Sequence, residues 1–196
     1  SLVAACASSS DDKFLHSMYE HLLSTNQVKT ALRIDSTSLE TWLINEKEDS
    51  NLLSDYYSIH GRHFSAGEIL LDKAVAVDPN EKVPLAQRIE CLTRAANSYS
   101  LAMQSNLPSS NMMSMIGGYD QRRDRALQDR QVSVETLKAN IKAIEEKLDV
   151  AKIQQRVLTT VDQSQNVDLK PEMLDALRFK LVSVSELYND YTCELN

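Results

Sequence analysis

The chain has 196 residues, 42% hydrophobic and 25% charged, with a net charge of −7 and only four glycines and four prolines. Such a length supports one sizeable core or a short stack of helix pairs, and the acid excess disfavours a surface made to hold a phosphate backbone. With so little Gly and Pro and no alternating segment bounded by turns, an enzyme built on a parallel sheet is not expected, and the class is all-α.

The opening run SLVAACASSS is too short and too poor in basic residues for a signal peptide. It reads as the last turns of a helix, which leads us to expect that the chain is a piece of a longer protein. Asp11 or Asp12 is placed to cap a helix, since a short acidic side chain satisfies free amides at a helix start. That helix is expected to bury Phe14, Leu15, Met18, Leu22 and Leu23. A second short helix carries Val28, Ala31 and Leu32. Ser36 or Ser38 caps a third, with Leu39, Leu43 and the single tryptophan, Trp42, on its inner face.

The run from Tyr56 to Met103 is the most informative. Leu52, Leu53, Tyr56, Tyr57 and His60 share one helical face, Gly61 breaks it, and Phe64, Ala66, Ile69, Leu70 and Ala74 resume it. After Asp78, Pro79 and Pro84, a third face runs through Leu85, Ile89, Leu92, Ala95, Ala96, Tyr99 and Met103. Three amphipathic helices in series are the unit of an α-solenoid.

Residues 105–120, with Pro108, Gly117 and Gly118 among serines and asparagines, read as a mobile loop. Its Met112, Met113, Met115 and Ile116 suggest either a short binding motif or an insertion tolerant of drift. Arg122, Arg123, Arg125 and Arg130 alternate with Asp120, Asp124 and Asp129, the mixture of a solvated helix start rather than a nucleic-acid patch.

The last third, 132–195, is expected to form a long helical hairpin. Val134, Leu137, Ile141, Ile144, Leu148, Ala151 and Leu158 make a narrow seam with one polar interruption at Gln155. Leu174, Leu177, Leu181, Val184, Tyr188 and Tyr191 repeat the spacing after a break at Asp168–Pro171, with Pro171 suited to a first helical turn. An intermolecular coiled coil is the competing reading, but the heptads fade after about three and a half, short of a free-standing run. Val132, Val150, Ile153 and Val157 lie off the seam and imply a second buried face, as in a solenoid layer.

Taken together these residues resemble the C-terminal helical region of the large inner-ring scaffold nucleoporins, the 155/170-kDa family of the nuclear pore. The resemblance rests on Tyr56, Tyr57, Phe64, Ala66, Ile69, Leu70 and Ala74, followed by Leu85, Arg88, Ile89, Glu90, Leu92, Arg94 and Ala95. It is extended by Asp11, Asp12, Leu15, His16, Tyr19 and Leu22, by KLDVAKIQ (Lys147 to Gln154), and by LYNDY (Leu187 to Tyr191). Cys91 stands where the family usually has an aromatic residue, and Gly67 where it has alanine. The resemblance implies an N-terminal β-propeller and further helices in the parent. It also implies a location at the nuclear pore and partners among linker nucleoporins and neighbouring inner-ring subunits, in support of nucleocytoplasmic transport.

Chemistry is sparse. His60 and His63 flank a turn without a nearby cysteine, so a capping or surface role is expected over zinc binding. His16 and His21 fall on different faces of one helix. Adjacent carboxylates such as Glu145 and Glu146 diverge, whereas a general acid and base must converge. No nucleophile elbow or phosphate-cradling glycine loop is present. Cys6, Cys91 and Cys193 are too widely spaced for a metal or redox motif and suit a reducing compartment. Neither enzymatic activity nor a cofactor is expected.

The chain is therefore read as an interaction scaffold that displays a surface. The expected partner-binding positions are Tyr56, Tyr57, Phe64, Arg88 and Leu92, because aromatics there exceed what a thin layer needs. Two other readings remain. A tetratricopeptide-like cytosolic adaptor would show self-similarity at about 34 residues, which is not evident. A helical-bundle enzyme or metal carrier would carry inward Glu-x-x-His pairs, and none occurs.

Overall fold

In the computed structural model, residues 6–7, 9, 11–77, 82–106, 132–163 and 170–191 are described. The 105–120 loop beyond Asn106, the basic cluster 122–130 and Cys193 lie outside them. Every regular element among the described residues is helical.

The first helix, α1 (Asp12–Ser24), is capped by Asp11, whose carboxylate accepts from the amides of Lys13 and Phe14. It buries Leu15, Tyr19 and Leu22. Phe14, expected inside, is 44% exposed because the buried stripe runs one residue later, through Tyr19. Helix α2 (Val28–Leu32) and helix α3 (Thr37–Trp42) follow. Ser36 caps α3 through the amide of Ser38, and α3 runs on into a π-turn, Leu43–Lys47. Asp49 caps α4 (Ser50–Ile59). The chain reverses at Gly61, whose φ of +72° is a left-handed conformation that costs glycine no Cβ clash, and enters α5 (His63–Val75).

Helix α6 (Leu85–Asn106) lies against α5 on one side and against α7 (Val134–Gln163) on the other. Leu70 and Ala74 of α5, Cys91, Leu92, Ala95, Tyr99 and Ala102 of α6, and Leu137, Ile144 and Leu148 of α7 form the first core. A second core joins α1 to α5 through Leu15, Tyr19, Leu32, Leu39, Trp42, Leu43, Tyr56, Tyr57 and Ala66. Helix α5 thus serves both cores, Ala66 facing one and Leu70 and Ala74 the other. Packing on two sides is the mark of a solenoid layer.

In the segment expected to form a long hairpin, the two arms differ among the described residues. Its first arm, α7, is one helix of 30 residues. The second arm breaks at Lys180–Ser183 into α8 (Pro171–Phe179) and a short α9 (Val184–Glu186) that continues as a π-turn, Leu187–Tyr191. Ser183 stops the helix by starting another: its hydroxyl accepts from the Glu186 amide, and the Glu186 carboxylate accepts from the Ser183 amide. The break turns the later residues out of register, so that Val184 and Tyr188, expected on the seam, are 63% and 69% exposed. A small third core gathers Leu177, Val182 and Leu187 against Val150, Val157, Leu158 and Met173. Of the second face expected on α7, Val150 and Val157 pack there, whereas Ile153 is 51% exposed.

Candidate functional site

Four of the five positions expected to meet a partner are interior. Tyr56 donates its hydroxyl to the Ser36 carbonyl at 3.2 Å and packs in a tilted arrangement, ring centres 4.5 Å apart, against His60, whose Nε2 lies 2.9 Å from the Leu32 carbonyl. These contacts fasten α4 to the ends of α2 and α3. Tyr57 donates to Glu40 at 3.0 Å, and the Arg62 guanidinium both pairs with Glu40 at 2.7 Å and lies 4.1 Å from the centre of the Tyr57 ring. Burial, with the neighbouring Glu40 carboxylate, pushes the Tyr57 hydroxyl up to about 12, because both disfavour a phenolate.

Leu92 is fully enclosed in the first core. Phe64 keeps some exposure but packs on Tyr99 with ring centres 5.6 Å apart. Tyr99 donates in turn to Glu68, and burial followed by that carboxylate raises the Tyr99 hydroxyl far above its ordinary range. The five positions do not form one exposed cluster. Tyr56 and Tyr57 belong to the second core, Phe64 and Leu92 to the first, and the aromatics that seemed in excess fill space between layers.

Arg88 has a different task. Only 2% exposed, it donates from Nε to the carbonyls of Phe179 (2.8 Å) and Val83 (3.2 Å), and from a terminal nitrogen to those of Ala74 (2.6 Å) and Ala76 (2.8 Å). The carbonyls at a helix C-terminus have no partner within the helix and carry partial negative charge. One guanidinium thus joins the ends of α5 and α8 to the start of α6.

Gln154 was not foreseen. The seam places its polar interruption at Gln155, yet Gln155 is exposed and Gln154 fully buried. Its amide donates to the carbonyls of Leu177 (2.8 Å) and Lys180 (2.6 Å), and its oxygen accepts from the Val182 amide at 3.2 Å. The available signal was the step of three from Ala151, which continues the buried stripe onto 154 rather than 155.

His63, the other histidine of the turn, has a buried Nδ1 without a hydrogen-bond partner among the described residues. No group of three His, Cys, Asp or Glu among them is arranged to hold a metal, and no described helix is long and apolar enough to cross a membrane. The large apolar side chains that do reach solvent are scattered: Phe14, Ile44, Ile59, Val75, Val77, Leu101 and Ile153, with Val184 and Tyr188 one turn apart on the last element. An array of this kind offers contact area rather than converging reactive groups.

Against known proteins, residues 2–196 match the family described as non-repetitive/WGA-negative nucleoporin C-terminal. The chain is 27% identical over 192 residues to nucleoporin NUP170 of Saccharomyces cerevisiae, covering 95% of this chain and 11% of that protein. It is 25% identical to nuclear pore complex protein Nup154 of Drosophila melanogaster, covering 92% and 12% respectively. The chain thus spans about a tenth of the length of these curated relatives. Among solved structures its fold is similar to Chaetomium thermophilum Nup170 CTD in a complex with Nup145N, with a TM-score of 0.70 and 21% identity over 96% of this chain and 33% of that one. The Nup170 SOL structure from the same organism gives a TM-score of 0.66 at 20% identity, covering 96% of this chain and 22% of that one. The helical stack, the two-sided α5 and a family match over residues 2–196 agree: the chain belongs to the non-repetitive/WGA-negative nucleoporin C-terminal family, the helical scaffold proteins of the nuclear pore complex.

Proposed function

We propose that this stack works in the inner ring of the pore as a rigid surface for short segments of linker nucleoporins and for neighbouring scaffold subunits. The observation that carries the reading is the similarity of fold over 96% of the chain to a Nup170 CTD solved together with another nucleoporin, Nup145N. A physical reason supports it. Interlocked cores hold the helices in fixed relation, so a partner that buries apolar side chains against the stack meets a preorganised surface and need not order it.

Because Tyr56, Tyr57, Arg88 and Leu92 are interior, the contact surface in this reading is carried by exposed side chains, with Phe64 at its margin. The test is a pull-down from nuclear-envelope extract with identification of the retained proteins, using Leu92→Asp as a core-disrupted control. Linker nucleoporins and inner-ring subunits should be retained by the folded protein alone. Equal recovery by the control, or no nucleoporin at all, would refute the proposal. Single substitutions Phe14→Asp, Ile44→Asp and Tyr188→Asp then locate the surface by which one abolishes retention while the helical circular dichroism is kept.

A further inference from the structure

The segment 170–191, comprising α8, the Lys180–Ser183 corner and the last π-turn, is held to the rest of the molecule in an unusual manner. Among the described residues its fully buried apolar contribution is three residues, Leu177, Val182 and Leu187, with Met173 partly buried beside them and Leu181 partly buried against the first core, whereas that core holds ten buried residues. Among the described residues two ion pairs cross to it, Lys82–Asp175 at 2.6 Å and Arg178–Asp162 at 2.8 Å, with all four side chains more than 40% exposed. Exposed pairs add little, since water screens them and the long side chains lose freedom.

Lys82 also lies 5.1 Å from the centre of the Phe179 ring, at the same exposed edge. The buried polar contacts described for the segment are directed at the main chain. Gln154 makes three bonds, to Leu177, Lys180 and Val182, and Arg88 makes one, to Phe179. The other carbonyls that Arg88 holds, those of Ala74, Ala76 and Val83, lie outside the segment. If 170–191 lifted away, Arg88 would keep three of these four bonds, while Gln154 would exchange all three of its own for water.

We infer that residues 170–191 form a strap that opens from the body as a single unit, and that Gln154 is its latch. A glutamine suits this place because its amide is satisfied in both states, by main-chain groups when closed and by water when open. A leucine there would leave the carbonyls of Leu177 and Lys180 buried without donors. Opening would bare the Val150, Gln154, Val157 and Leu158 side of α7, which the strap otherwise covers. Low-stability units of this kind separate from a fold where apolar contact is small and local.

Hydrogen exchange read by mass spectrometry on the whole chain tests the inference. The amides of 171–187 should exchange together and faster than those in the middle of α5, α6 and α7. Gln154→Ala should speed the strap about 100-fold, as expected for three lost buried hydrogen bonds, and leave α4 and α5 unchanged. Leu177→Ala, which trims the third core without touching the latch, should show the same selectivity. Exchange of strap and body at one common rate, equal acceleration of both in Gln154→Ala, or loss of the whole fold in Leu177→Ala would each overturn it.

Discussion

Replacing Gly67 with alanine, the residue that the family resemblance leads one to expect there, sets two known effects against each other. Alanine is favoured over glycine inside a helix by about 1 kcal/mol. A Cβ built on Gly67, however, would stand 2.9, 3.0 and 3.1 Å from three ring carbons of Tyr99, closer than carbon atoms approach without displacement. The ring has little room to yield. Tyr99 is wholly buried, its face meets Phe64 and its hydroxyl is bound to Glu68. Overpacking of this sort costs about 1–3 kcal/mol, so Gly67→Ala should lose a net of about 1 kcal/mol.

Urea unfolding followed by circular dichroism would show a lower midpoint at unchanged slope, and the thermal midpoint should fall by about 2–4 °C. In a Tyr99→Leu background the clash is absent and the same substitution should be neutral or stabilising. Parental or higher stability of Gly67→Ala with Tyr99 in place would refute the reasoning.

Arg88→Met should destabilise the fold by about 3 kcal/mol or more in the same urea assay, because the carbonyls of Ala74, Ala76, Val83 and Phe179 lose a common donor. For Tyr57, the folded-state value of about 12 against an ordinary 10 means that the folded state holds its proton more tightly. The resulting stability is complete below pH 10 and is lost as pH rises toward 12. The ultraviolet phenolate titration of the parent minus that of Tyr57→Phe should show the missing tyrosine ionising near 12, and a midpoint near 10 would contradict the buried Glu40 contact. Burial also raises the Cys91 thiol, so in a Cys6→Ser, Cys193→Ser background a disulfide reagent should modify the protein only on unfolding; prompt reaction under native conditions would place Cys91 at the surface.

Much of the fold is legible in the sequence because helix starts and faces are local properties. Asp11 and Ser36 cap where short polar side chains precede apolar periodicity, and Gly61 turns where a left-handed residue is needed. The break at Lys180 is harder to read, since Leu177, Leu181 and Val184 keep helical spacing across it. The competing signal is the Ser183–Glu186 capping box, which starts a new helix inside an unbroken apolar pattern.

The burial of the expected site residues was hard to read for a related reason. A tyrosine pair on one face is equally consistent with a groove and with an interior, and only the positions of Ser36 and Glu40, brought near by the fold, decide for the interior. Arg88 and Gln154 pose the same difficulty, because their partners are main-chain carbonyls and carry no residue signature. The partners of 155/170-kDa scaffolds, by contrast, are implied by the resemblance and not by any local chemistry of these residues.

The double duty of α5 has a mechanical consequence. A helix that contributes Ala66 to one core and Leu70 and Ala74 to the next is a party wall. Force applied to either side passes through it, and the two layers cannot be peeled apart without one of them losing that wall. Load placed on one layer is therefore shared with the other, and the two bend together as one beam rather than hinge at the helix between them.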